Sequence, residues 1–257
     1  MSEAAIDRLR SRYLDLVEKS VANAIYGESE LEMRVARWRN RLRHPYLTRH
    51  LALAWPARAH TMIGLKRLRN VRDLAERTIR ESIAGDYIET GVWRGGACIL
   101  MRAVLKAFEV DDRRVICADS FAGLPPPDPR KYKEDRRDRL HRFDDLAVSE
   151  QTVRDNFKRY DLLDEQVVFL KGLFKDTLPQ LKDRRFSLIR LDGDMYESTT
   201  DALINLYDCL SEGGFLIVDD YGALKSCRAA VHDFLDRRSL QVDMQMIDDS
   251  AVWWRKA

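Results

Sequence analysis

Cysteine, histidine, glycine and proline are all scarce in this 257-residue chain, and each scarcity removes a class of protein. The four cysteines, Cys98, Cys117, Cys209 and Cys227, share no C-x-x-C spacing, so neither a disulfide framework nor a thiolate metal site is expected. Reduced thiols suit a cytoplasmic protein. The five histidines are scattered without an H-E-x-x-H arrangement, which argues against zinc. No run approaches the roughly 18 apolar residues of a membrane span, and the N-terminus carries no apolar block of signal-peptide type. Acid is missing from one long stretch. Between Met33 and Arg72 stand ten Arg and one Lys with no Asp or Glu, a local charge of +11 that leaves −9 for the rest. No nucleic-acid module surrounds it, so nucleic acid is not an expected partner. Two readings remain: Arg34, Arg37, Arg39, Arg41 and Arg43 attract a phosphorylated acceptor, or the stretch is solvated or faces an acidic neighbouring subunit.

Two regions are present. Residues 1–80 read as a helical extension, with apolar stripes through Leu14, Val17, Val21, Ala24 and Ile25, and through Ile63, Leu68, Val71, Leu74 and Ile79. Residues 81–257 alternate short apolar runs with amphipathic stretches, which predicts β-α-β units in a mainly parallel α/β sheet. "LQVDMQMI" and "AVWWRKA" read as two closing strands. Between them in character lies 123–149, with four prolines, dense charge and little periodicity. Such a long segment after the second strand is expected to be a lid, disorder being the alternative.

Four strand ends carry chemistry. "YIETGVWRGGACILMRAVLKA" is a strand, a glycine turn and a helix, but Glu89 precedes the first glycine. An acid there repels pyrophosphate, whereas S-adenosylmethionine (SAM) carries an ammonium and a sulfonium. A plain tight turn is the structural alternative. Asp119 ends "VICAD", placed to accept ribose hydroxyls in either a dinucleotide or a SAM site. Asp192 ends "FSLIRLD", and Asp219 and Asp220 end "GGFLIVDD"; neighbouring parallel strands would bring these three carboxylates to one sheet edge. Clustered anions need a cation, and an all-oxygen set suits Mg²⁺; turn or cap roles are the alternative for Asp219 and Asp220.

"HTMIGLKRL", "ETGVWRGGACI", "ADSFAG", "LAVSEQTVRDNFKRYDLLDEQVVFL", "FKDTLP", "DGDMYEST" and "GGFLIVDDY" together resemble the macrocin O-methyltransferase family, from about His60 to Arg255. The lid stretch "LHRFDDLAVSE" most resembles a member acting on the noviose of an aminocoumarin antibiotic. The likeness implies a class I SAM-methyltransferase Rossmann-like sheet and Mg²⁺-dependent methylation of a sugar hydroxyl on a nucleotide sugar or a glycosylated natural product. It places metal ligands at Asp192, Asp219 and Asp220, and cofactor contacts at Met62, Glu89, Thr90, Gly91, Asp119, Ser120, Gly172, Leu173 and Phe174. Leu173 stands where the family has tryptophan, and residues 31–56 depart from its pattern. The likeness also implies a homo-oligomer, dimer or tetramer, whose N-terminal helices border a neighbour's site. Asp192 is the first candidate for the catalytic base and His141, in the lid, the second. A catechol or phenol O-methyltransferase with the same metal set, and a non-catalytic SAM-binding subunit, are the rival readings.

Overall fold

The computed structural model describes residues 2–27, 34, 35, 38 and 55–257. Of the five arginines proposed for phosphate, only Arg34 is among these; the other four lie outside the described residues.

A seven-stranded sheet organises the chain in the order β3-β2-β1-β4-β5-β7-β6. Its strands are β1 Asp86–Thr90, β2 Val115–Asp119, β3 Val167–Lys171, β4 Phe186–Leu191, β5 Leu210–Val218, β6 Gln245–Met246 and β7 Val252–Arg255. The first five run parallel, and β7 joins β5 antiparallel. Parallel pairing demands crossovers, and helices on both faces supply them. That is why β4 is buried at all six positions, Ser187 and Arg190 included. One apolar cluster fills each face of the sheet. "LQVDMQMI" pairs only at Gln245 and Met246, because Leu240, Val242 and Met244 pack against one of those clusters instead.

Helix α1, Glu3–Val21, and helix α2, Gly64–Arg80, put Leu14, Val17, Val21, Leu68, Val71 and Leu74 into the same core as the sheet. The first stripe is shorter than its pattern suggested, since α1 ends at Val21 and Ala24 and Ile25 are exposed. Arg72 staples the two helices: its guanidinium reaches Asp15 at 2.6 Å, Glu76 at 2.7 Å and Glu18 at 3.3 Å. Part of the acid-free stretch is therefore neutralised inside the fold. All four cysteines are buried. No helix among the described residues is long and apolar enough to cross a membrane.

His60 links this extension to the first crossover. Its amide donates to Val21 O, its carbonyl accepts from Gly96 N, and its Nδ1 meets Tyr160 Oη at 3.0 Å. Burial, then Arg159 and Arg94, pushes its pKa down to about 4. The unfolded chain therefore binds more protons between about pH 6.5 and 4, and His60's contribution is lost as pH falls through that window. His60→Gln should lower the melting temperature clearly at pH 7.5 and much less at pH 5. Equal losses at both pH values would refute this.

Candidate active site

The carboxyl ends of β1, β2, β4 and β5 open onto one cavity of about 830 Å³. Its wall includes Met62, Gly91, Asp119, Ser120, Gly172, Leu173 and Phe174 on the expected cofactor side, and Asp192, Asp219 and Asp220 on the expected metal side. Glu89 and Thr90 lie beneath it and are not among the lining residues.

Two glycines make the first turn possible. Gly91 has φ +88°, and a Cβ there would stand 1.7 Å from the Asp192 carbonyl oxygen. The turn after β1 is thus pressed against the end of β4, and only a residue without a side chain fits. A Cβ on Gly96, at the start of helix α3, Gly96–Ala107, would meet the His60 carbonyl at 2.6 Å. Both positions bring backbone against backbone. Asp119 then fastens the turn across β2: its Oδ2 accepts from Val92 N at 2.7 Å and Trp93 N at 3.4 Å, and its Oδ1 accepts from Phe121 N at 2.7 Å.

The acids converge as the strand argument requires. One oxygen each from Asp192, Asp219 and Asp220 lies within 4.8 Å of the others. Asp219 Oδ1 is buried without a hydrogen bond, although Arg190 Nη2 stands 2.5 Å away as an ion pair. An all-carboxylate set of three converging oxygens fits a hard divalent cation. Asp194, at φ +63°, also lines the cavity, and its amide donates to Asp220 Oδ2 at 3.2 Å. Burial first, then the neighbouring acids, holds the carboxyls of Asp194 and Asp220 well above their usual range.

The sequence reading missed the cation at the centre. Arg190 is 1% exposed and sits in β4 directly beside Glu89 of β1. Its Nη1 bonds to Glu89 Oε1 and reaches Asp192 Oδ2 at 2.7 Å, while Nη2 faces Asp219. Burial pushes Glu89 up to about 7, against the opposing pull of Arg190 and a hydrogen bond from Cys98 Sγ at 2.8 Å. Glu89 therefore faces a guanidinium and a thiol. The signal was present: Arg190 stands two residues before Asp192, on the same side of the strand.

The 123–149 segment borders the cavity and is ordered by three short 3₁₀ turns. Asp135 accepts from Tyr196 N at 2.7 Å and Glu197 N at 3.0 Å, capping the helix Tyr196–Leu206 from outside it. Trp93 Nε1 donates to the Asp145 carbonyl at 2.8 Å, and Phe143 meets Trp55 edge-on. His141 does not line the cavity, though Arg139 and Leu140 do, and its Nδ1 is enclosed without a hydrogen bond.

Residues 10–256 match the model of the macrocin-O-methyltransferase (TylF) family. The chain belongs to that family. It is a SAM-dependent O-methyltransferase, as the parallel sheet with its antiparallel edge already suggests. A demethyldecarbamoylnovobiocin O-methyltransferase of Streptomyces niveus is 46% identical over 251 residues, covering 96% of this chain and 94% of the relative. An 8-demethyl-8-(2,3-dimethoxy-alpha-L-rhamnosyl)-tetracenomycin-C 4'-O-methyltransferase of Streptomyces olivaceus is 48% identical over 247 residues, covering 96% and 93%. The solved structure of the O-methyltransferase NovP superposes with a TM-score of 0.85 at 46% identity, covering 96% of this chain and 99% of that one. This macrocin-family chain departs from its expected site map in that Glu89, Thr90 and His141 do not line the cavity and Arg190 stands between Glu89 and the three clustered aspartates.

Proposed function

We propose that this enzyme methylates a sugar hydroxyl of a finished natural-product glycoside in antibiotic biosynthesis, using SAM and Mg²⁺. One observation carries the reading: the carboxylate triad and the cofactor-side residues line the same cavity. SAM supplies the methyl group, and Mg²⁺ held by Asp192, Asp219 and Asp220 would supply Lewis-acid polarisation of the hydroxyl. The side chains do the rest. Gly91, Asp119 and Ser120 hold the cofactor from β1 and β2, with Gly172 to Phe174 and Met62 on its other sides. Asp192, whose side chain is 22% exposed, is the most open of the triad and takes the proton of the attacking hydroxyl. Its Arg190 contact keeps the carboxylate oriented. His141 stands outside the lining, which leaves it second as a base.

The acceptor side supports a glycoside. Trp55, Leu124, Pro125, Leu140, Phe143 and Leu224 give the cavity an apolar wall suited to an aglycone. Acids outnumber cations among the described lining residues, an unfavourable setting for a nucleoside diphosphate. The 123–149 segment acts as a lid that excludes water once the acceptor is seated. A panel of glycosides, nucleotide-linked deoxysugars and catechols, with SAM, tests the proposal. A glycoside should gain the mass of one methylene, EDTA should stop the reaction, and Mg²⁺ should restore it. Full turnover after chelation, or a catechol as the only acceptor, would sink it.

The chain is also proposed to assemble as a homo-oligomer. Leu9, Tyr13 and Leu16 are exposed along one face of α1, with Ile25 and Tyr26 beyond its end. Light scattering should give a multiple of 30.0 kDa; a monomeric mass at micromolar concentration overturns this.

A further inference from the structure

Among the described residues of the acid-free stretch, Arg67, in the first turn of α2, is the one that reaches the metal-side acids. Its Nη1 donates to Asp219 Oδ2 at 2.6 Å and its Nε to Asp248 Oδ2 at 2.7 Å. Asp248 lies 29 residues beyond Asp219, in the turn before β7, with Oδ1 accepting from Ser250 N and Ala251 N, both at 2.9 Å. That turn also grips Asp219 through its main chain: Ser250 Oγ donates to the Asp219 carbonyl at 2.9 Å. Gly222 N donates to Ser250 O at 2.6 Å, and a Cβ on Gly222 would stand 1.9 Å from the Asp249 carbonyl. The Asp219 carboxylate thus has Oδ2 engaged by Arg67, while Oδ1 is buried with Arg190 Nη2 2.5 Å away.

We infer that Arg67 and Asp248 form a positioning pair for the metal site: Asp248 fixes Arg67, and Arg67 fixes the rotamer in which the Asp219 carboxylate meets the cation. The inference rests on the metal reading above. Carboxylates that ligate metals need an outer hydrogen bond to fix their rotamer, and losing it typically weakens metal affinity 10–100-fold. Here the outer partner comes from the N-terminal helix and its anchor from the C-terminal turn. The two chain ends are thereby joined through one metal ligand. An alternative use of the same contacts is structural, a clasp between α2 and the 248–250 turn. A third is competitive, with Arg67 occupying Asp219 in place of the metal.

Manganese binding separates these, read by electron paramagnetic resonance on full-length protein without acceptor. Arg67→Met should weaken Mn²⁺ binding about 10–100-fold, with SAM affinity by calorimetry little changed. Asp248→Asn, which keeps an oxygen for the turn amides, should weaken Mn²⁺ in the same direction. Because it acts only through Arg67, the double variant should bind no more weakly than Arg67→Met alone. Arg67→Lys, which reaches one acid instead of two, should recover part of the affinity. A lower melting temperature with unchanged Mn²⁺ affinity in Arg67→Met and Asp248→Asn would overturn the inference in favour of a clasp. Tighter Mn²⁺ binding by Arg67→Met would overturn it in favour of competition. A wild-type protein with no saturable Mn²⁺ signal would overturn the metal reading itself.

Discussion

Replacing Arg190 by methionine should cost about 3–5 kcal/mol of folding stability, measured by urea unfolding with chelator present. The guanidinium is 1% exposed and faces Glu89, Asp192 and Asp219 at once. Methionine fills much of the same volume, so the loss is electrostatic: buried carboxylates keep their desolvation cost without the cation that offsets it. In a domain of this size about 1 kcal/mol moves the melting temperature by roughly 2–4 °C, so a fall of roughly 6–20 °C is expected. Two controls give the prediction its content. Glu89→Gln in the Arg190→Met background should recover part of the loss, because it removes one unpaired acid. Added Mg²⁺ should recover another part, by supplying charge to Asp192 and Asp219. A variant within about 1 kcal/mol of the wild type would show that the acids ionise independently of Arg190.

Asp219→Asn should abolish measurable turnover, a fall of about 100-fold or more, since even losing an outer partner of a metal ligand costs 10–100-fold. SAM affinity should stay within about threefold of wild type. The separation follows from placement. The cofactor-side residues come from the turns after β1, β2 and β3, while Asp219 ends β5, two strands from β1 across the sheet. Arg190 still has Glu89 and Asp192 as partners when Asp219 loses its charge. Calorimetry with SAM and a single-turnover assay on one preparation would decide it. A parallel collapse of SAM binding would place Asp219 in the cofactor pocket.

The legible parts of this site were those carried by strand ends. An acid after an apolar run marks the carboxyl edge of a parallel sheet, so Asp119, Asp192, Asp219 and Asp220 could be assigned to one edge before any coordinates. The glycine turn was legible as a turn but not in its reason. That Gly91 must clear the Asp192 carbonyl depends on two strands 101 residues apart in their Glu89 and Arg190 positions, a distance no local pattern encodes. Arg190 was hidden by its surroundings: in "FSLIRLD" a cation two places before an acid looks like a strand residue turned to solvent, and a fully covered strand has no such side. Asp194 follows the end of β4, and its left-handed backbone is not legible in the sequence. "LQVDMQMI" and "AVWWRKA" both read as closing strands, yet burial of Leu240, Val242 and Met244 leaves the first paired only at Gln245 and Met246. Pattern located the strands and their ends; packing between distant segments decided which charges met.

The buried cysteines make this enzyme well suited to optical work. Cys98, Cys117, Cys209 and Cys227 are between 0% and 7% exposed, and burial raises the thiols of Cys98, Cys209 and Cys227. Since the thiolate is the species that alkylates, the native chain presents little for a maleimide dye to modify. A single cysteine introduced at exposed Arg136, within the segment over the cavity, would then be the dominant labelling position without any native thiol being removed. Cys98 in particular could stay, and its hydrogen bond to Glu89 with it. Fluorescence from that one position would test whether the segment leaves Trp93 and the helix that Asp135 caps during turnover, in an otherwise unaltered enzyme.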